Sequence, residues 1–255
     1  MRIEEDIVAD LASSGYHPRT SRHSDRQSYA IVEDLLDSCP ILRDRARDGE
    51  IVAKLRHHQQ VGHDDWVIDL AIGTCAGNPE PPQGARIGFT EPALIQIAIE
   101  LKSIYTEHGK ARRNRLRDFN AFHGYAHQYN PRTIAAAFLV VNAARYFYSP
   151  LRKPDDITEH GGRTHNTTKL ATDCVDLFRT IHLRNSPADQ PGLEAIGVVV
   201  IEHDNLAVHP EPNGVADRHS QTRIAPAPPS LRVGDPLHYQ TMIQRICVEY
   251  NARFR

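Results

Sequence analysis

The chain has 255 residues, 40% of them hydrophobic and 24% charged, with a formal net charge of −2. That is the composition of an ordinary globular protein, long enough to bury one large core or two small ones, and the charge alone points to no nucleic-acid partner. No apolar run approaches the roughly 18 residues needed to span a bilayer. The acidic start, Met1-Arg2-Ile3-Glu4-Glu5-Asp6, lacks the basic region and apolar core of a signal peptide, so a cytoplasmic protein with no membrane partner is expected. Cys39, Cys75, Cys174 and Cys247 are widely spaced and form no C-x-x-C pair, which suggests neither a zinc ribbon nor a disulfide framework. Only Lys54, Lys102, Lys110, Lys153 and Lys169 among the 30 basic residues are lysines. An arginine excess is what a GC-rich genome gives, and it also suits a phosphate-rich ligand.

In chain order, residues 3–14 and 28–37 are predicted helices, the second with Ile31, Val32, Leu35 and Leu36 on one side and Pro40 after it. Residues 41–56 are charged and read as helical, with Leu42 and Leu55 as scattered apolar contacts. Trp66–Gly73 is an apolar strand interrupted by Asp69. A Gly-, Pro- and Asn-containing loop is expected over 74–92. A second buried strand follows at Leu94–Lys102, then a basic helix from about Arg112 to Gln128 with Leu116, Phe119, Phe122, Ala126 and Tyr129 on its inner face. Thr133–Val141 reads as a central strand and 149–166 as a polar loop. Residues 167–183 form a helix striped by Leu170, Cys174, Leu177 and Ile181, and Ala195–Ile201 is the last clear strand. Residues 208–236 show no core pattern, and Asp235-Pro236 is expected to start a terminal helix. Long apolar strands separated by amphipathic helices indicate an α/β fold, a mixed central sheet flanked by helices on both faces.

The second strand is the informative one. Side chains alternate along a strand, so Glu100 and Lys102 point one way and Leu101 the other. A carboxylate and an ammonium at the end of an apolar strand are costly unless something uses them. The bland alternative is a Glu100–Lys102 surface pair on an edge strand with Asp69 solvated nearby. The two acid-bearing strands follow one another, so a hairpin-like pairing is expected to bring Asp69 close to Glu100. With five lysines, a (D/E)xK triplet arises readily by chance. Its placement, with Asp69 on the preceding strand and a basic helix after it, carries the argument.

Asp69 followed by Glu100-Leu101-Lys102 at a strand end resembles the PD-(D/E)xK nuclease superfamily, which includes many type II restriction endonucleases. The resemblance runs from about Ser28 to Asp204, where the order helix, strand, strand, helix, strand, helix, strand matches the family core. Ile68 stands where the motif's name has proline, and the Gln-x-x-x-Tyr element of one exonuclease branch is absent. The resemblance implies a restriction-endonuclease-like fold: one nuclease domain over 1–255, with its core at about 28–204 and a loop-rich extension over 205–255 that ends in a helix. It implies a Mg²⁺-dependent DNA endonuclease, a type II site-specific restriction enzyme, that leaves a 5′-phosphate and a 3′-hydroxyl. Asp69 and Glu100 would bind the metal with the Leu101 carbonyl as a third ligand, and Lys102 would orient or polarise the attacking water. Cutting both strands of double-stranded DNA with one site per chain implies a homodimer. A defence-associated nuclease of low sequence preference and a catalytically silent DNA-binding module on the same fold are the alternatives.

Lys110, Arg112, Arg113 and Arg115 form the densest positive patch and are candidate DNA contacts, a solvated helix start being the other reading. Glu33 is a candidate extra acid, set against the plain reading of an exposed helix glutamate. His123 and His127 stand at i, i+4 but lack a third ligand of matching spacing, which favours structural roles. The segments 160–166 and 208–236 carry side chains able to read base edges or to serve as ordinary connections.

Overall fold

A computed structural model describes residues 1–16, 20–77, 84–144, 147, 167–204 and 221–254. Among them, helices α1 (Arg2–Ser14), α2 (Arg22–Ser38) and α3 (Pro40–Arg47) precede strands β1 (Ile51–Val61), β2 (Asp64–Thr74), β3 (Gly88–Phe89) and β4 (Leu94–Ile104). Helix α4 (His108–Tyr129), β5 (Ile134–Asn142), α5 (Thr167–Phe178), β6 (Ala195–Asp204), β7 (Gln221–Ile224) and α6 (Tyr239–Arg253) follow. The seven strands form one mixed sheet in the order β3-β1-β2-β4-β5-β6-β7. Strands β1, β2 and β4 are antiparallel neighbours, β4, β5 and β6 run parallel, and β7 returns antiparallel to β6. The expected mixed sheet with helices on both faces is therefore present, and no helix of the described residues is long and apolar enough to cross a membrane.

Two cores sandwich the sheet. Ile3, Ile7 and Leu11 of α1, Ile31 and Leu35 of α2 and Tyr239, Met242 and Ile246 of α6 cover one face. Phe119, Phe122 and Ala126 of α4 with Ala171, Cys174 and Phe178 of α5 cover the other. Strand β5 is buried along its whole length, which is why Ile134-Ala135-Ala136-Ala137-Phe138-Leu139-Val140-Val141 reads as an unbroken apolar run. Asp34 of α2 caps α1 from a distance: its carboxylate accepts the Arg2 and Ile3 N–H groups and the Tyr239 hydroxyl. All four cysteines are free.

Several boundaries differ from the sequence expectation. Residues 41–56 are not one helix; α3 stops at Arg47, Gly49 turns the chain at φ 75°, and β1 begins at Ile51. The outer half of β1 is polar (His57-His58-Gln59-Gln60) because only one edge of it is paired there, and this hides its strand pattern. Helices α2 and α4 start earlier than expected, at Arg22 and His108, and α5 ends at Phe178. Short β3 lies within the expected 74–92 loop and pairs with β1. The supposed patternless stretch supplies β7, and α6 starts at Tyr239 rather than at Asp235-Pro236. There the Asp235 carboxylate is engaged by Arg179 and the Leu237 N–H, and the His238 ring caps the helix by accepting the Gln240 N–H. Residues 149–166, and 208–220 of the other segment, lie outside the described residues.

At the N-terminal end of the parallel strands sits a fully buried acid, Glu194, at 0% exposure. Its carboxylate accepts from Arg253 (2.9 Å), His127 (3.2 Å) and the Ala135 N–H (2.7 Å), and the Arg184 guanidinium forms an ion pair with it at 3.1 Å. Deleting one member of such a network leaves buried charge uncompensated. Glu194→Ala should therefore destabilise the protein by about 3–5 kcal/mol, lowering Tm by about 10 °C in a thermal melt. An unchanged Tm would show that Arg184 and Arg253 find other partners.

Candidate active site

Strand β2 changes sides at Asp69. Trp66 and Ile68 belong to the core under α4, whereas Leu70 and Ile72 belong to the core under α1 and α2. A regular strand would keep all four on one face. The twist is shared by the neighbouring strand, where Arg56 has the left-handed φ of 50° in the register position opposite Asp69. Beyond it, Trp66 packs edge-on against Phe122 of α4 at 5.4 Å. The last β2–β4 pair is Leu70 with Ile99, and from there the two strands part. Gly73 fixes the other end of the pairing: the register shifts there, and a Cβ would lie 2.0 Å from the Leu94 carbonyl oxygen.

The opening between the parted strands holds the candidate residues. The Leu101 N–H donates to Asp69 Oδ2 at 2.8 Å. Because the N–H and C=O of one strand residue face the same edge, the Leu101 carbonyl is directed into the same opening. Leu101 itself packs in the core under α1 and α2. Glu100 and Lys102, on the opposite parity, share the α4 side with Ala98 and Ile104. The Lys102 ammonium contacts the Glu100 carboxylate and lies 3.4 Å from Asp69 Oδ2. The structure thus brings Asp69, Glu100, Leu101 and Lys102 together, with the side chains of Asp69, Glu100 and Lys102 only 23%, 12% and 21% exposed. A solvated surface pair does not describe them.

Burial pushes the Glu100 carboxyl up to about 7, helped by the Asp69 charge and opposed by Lys102. Burial works against the charge on Lys102, but Glu100 and Asp69 outweigh it and hold its pKa above the usual lysine value. Two carboxylates and a carbonyl make an all-oxygen donor set, which suits a hard cation such as Mg²⁺ that keeps several waters. A cation would also relieve the repulsion that raises Glu100. Among the described residues no three His, Cys, Asp or Glu side chains converge as a metal site, so the set offers Mg²⁺ two side chains and leaves the remaining positions to backbone and water.

The basic patch occupies the first turns of α4. Lys110 and Arg113 are exposed, Arg112 pairs with Asp173 at 3.1 Å and Arg115 with Asp118 at 2.8 Å. Glu33 pairs with Arg2 and Arg86, each at 3.0 Å, and no hydrogen bond or ion pair joins it to Asp69 or Glu100 among the described residues. His127 is bound to Glu194, which accounts for its place on α4 as structural. Beyond Lys102, the Ser103 side chain shares a hydrogen bond with Tyr16, and Tyr16 stacks on Tyr105 at 3.7 Å. Sequence reasoning missed that contact, because the packing of α1 over the end of β4 carries no local signal. A scan against protein-family models, a search of curated proteins and a search of solved structures each found no match.

The raised Glu100 carboxyl has a sign that can be tested. Its folded pKa, about 7, lies above its ordinary 4.5, so its contribution to stability is complete below pH 4.5 and lost as pH rises through 7. In EDTA, Glu100→Gln should change stability little at about pH 5. It should raise stability by about 1–3 kcal/mol at about pH 8, the lost Lys102 contact offsetting part of the gain. Urea unfolding at both pH values measures this, and no gain at the higher pH would contradict the assignment.

Proposed function

We propose that the protein is a Mg²⁺-dependent DNA endonuclease of restriction-endonuclease-like fold, acting in the cytoplasm as a homodimer on double-stranded DNA. The observation that carries this reading is the cluster of Asp69, Glu100, the Leu101 backbone and Lys102 where β2 and β4 part. The order of elements supports it: α2, the antiparallel strands β2 and β4, α4, β5, α5 and β6 follow the order on which the family resemblance rests, with β1 added beside β2. The exposed Lys110 and Arg113 at the start of α4 suit phosphate contacts, and the helix N-terminus adds its own donors.

In this reading Asp69, Glu100 and the Leu101 carbonyl would hold the cation. A bound Mg²⁺ would acidify water and offset charge on the phosphoryl oxygens. Asp69 is kept in place by the Leu101 N–H, so its second oxygen remains available. Glu100 must give up its proton to serve as a ligand. Lys102, freed from its carboxylate partners when their charge is taken up, donates to the attacking water and favours its hydroxide form. The water oxygen bonds to phosphorus as the P–O3′ bond breaks. The water loses a proton and the 3′ oxygen gains one, leaving a 5′-phosphate and a 3′-hydroxyl. Two copies about a two-fold axis would cut both strands at a symmetric site, the behaviour of a type II restriction enzyme.

The test is unmethylated phage and plasmid DNA incubated with Mg²⁺ or EDTA, beside Lys102→Ala. Discrete fragments with 5′-phosphate ends are expected only with Mg²⁺. Lys102→Ala should lower the rate by about 10²–10⁴-fold while leaving DNA binding nearly intact. Full activity in that variant would show that the site is elsewhere, and smears in place of bands would point to a nuclease of low sequence preference.

A further inference from the structure

Arg56 stands inside a strand with the backbone of a turn. Among the described residues other than glycine, positive φ occurs at Arg56 (50°) and Glu107 (51°), and Glu107 is the N-cap of α4, where the chain turns in any case. Arg56 instead lies within β1, between Leu55, which pairs with Leu70, and His57, which pairs with Ile68. The pair left out of the ladder between them is Arg56 and Asp69. A left-handed conformation is costly for a residue with a Cβ and persists only where the surroundings impose it. Here the ladder on either side imposes it, from Ile51 with Thr74 up to Leu55, and from His57 on to Val61 with Asp64. On one side of the skipped pair Leu55 and Leu70 pack into the core under α1 and α2; on the other, Val61 and Ile68 pack into the core under α4. Residues of one parity keep to one face in a regular ladder. Both strands therefore change sides together, where the backbone of one of them is left-handed. Asp69 is the β2 residue at that corner, and its carboxylate reaches across to the Leu101 N–H at 2.8 Å. The Arg56 guanidinium is directed elsewhere. It is 61% exposed and meets the start of α2, at 3.5 Å from Asp25 and 3.4 Å from Ser21.

We infer that Arg56 is a positioning residue: its left-handed backbone, and not its charge, turns the β1–β2 hairpin at Asp69 and so sets the Asp69 carboxylate where a cation would bind. This rests on the nuclease reading above, in which Asp69 would hold the cation, and adds how that carboxylate is placed. Glycine takes a φ of 50° without steric cost and would preserve the corner. A β-branched residue is a steric outlier in this region, so valine would draw β1 back to an extended form. The β2–β4 ladder, which ends at Leu70 with Ile99, could then run on and carry Asp69 out of the opening. An exposed guanidinium with two long contacts to α2 would contribute little either way.

Mn²⁺ affinity, read from the electron paramagnetic resonance signal of the free ion, tests this on the wild type, Arg56→Gly, Arg56→Ala and Arg56→Val, with cleavage of duplex DNA followed alongside. Arg56→Gly should bind Mn²⁺ within about twofold of the wild type, since glycine accepts the conformation. Arg56→Val should bind it about 10–100-fold more weakly, with its circular dichroism unchanged. Arg56→Ala, less hindered than valine, should fall between them, and it carries the comparison where Arg56→Val does not fold. Equal losses in Arg56→Gly and Arg56→Val would overturn the inference and give the role to the guanidinium. Wild-type affinity in both Arg56→Val and Arg56→Ala would overturn it by showing that Asp69 keeps its place without the left-handed residue. The expected order of affinities, with no DNA cut by the wild type, would uphold the positioning role and overturn the nuclease reading. No Mn²⁺ binding by the wild type would overturn both.

Discussion

The hydrogen bond from the Leu101 N–H to the Asp69 carboxylate, 2.8 Å long, stands where the β2–β4 ladder stops. A backbone donor left open between two strands must be met by something, and here a side chain meets it. The twist at Arg56 and Asp69 makes that necessary, because it turns the outer half of the β1–β2 hairpin towards α4 and draws β2 away from β4. With the strands parted, the Leu101 carbonyl, the Asp69 carboxylate, Glu100 and Lys102 share one opening at the edge of an otherwise continuous core. Remove the twist and the ladder would run on, filling that opening with paired backbone.

Two buried glutamates show how differently this fold treats acids. Glu194 is completely buried, yet His127, the Ala135 N–H and Arg253 hold its carboxyl below the usual range against the cost of burial. Both carboxylate oxygens accept hydrogen bonds, and the residue ties α4, β5 and α6 together. Glu100 is slightly more accessible, but burial and Asp69 drive it up to about 7, with Lys102 as the counterweight. An acid held below its usual range by cations and a backbone N–H is a structural element, whereas a pair of acids that share one lysine is a poised one. The arrangement costs stability wherever the pH leaves both acids charged.

Much of this could be read from the sequence. Strands buried on both faces, such as Ile134–Asn142 and Ala195–Asp204, declare themselves by unbroken apolar runs. The parity of Glu100, Leu101 and Lys102 follows from the pleat, and the nearness of Asp69 follows from two strands adjacent in the chain. Strand β1 was not legible because His57, His58, Gln59 and Gln60 lie on a half-paired edge where no apolar alternation is required. The twist at Arg56 was hidden because an arginine in a left-handed conformation has no sequence signature.

The central claim is that the opening between β2 and β4 is a cation site. A crystal of the protein grown with Mn²⁺ in place of Mg²⁺, with anomalous diffraction measured at the manganese edge, tests it most directly. The account predicts an ion bound by the Asp69 and Glu100 carboxylates and the Leu101 carbonyl at about 2.0–2.2 Å, with waters completing an octahedron and Lys102 withdrawn from Glu100. An ion bound elsewhere, or an opening still closed by the Lys102 contacts at saturating Mn²⁺, would contradict it.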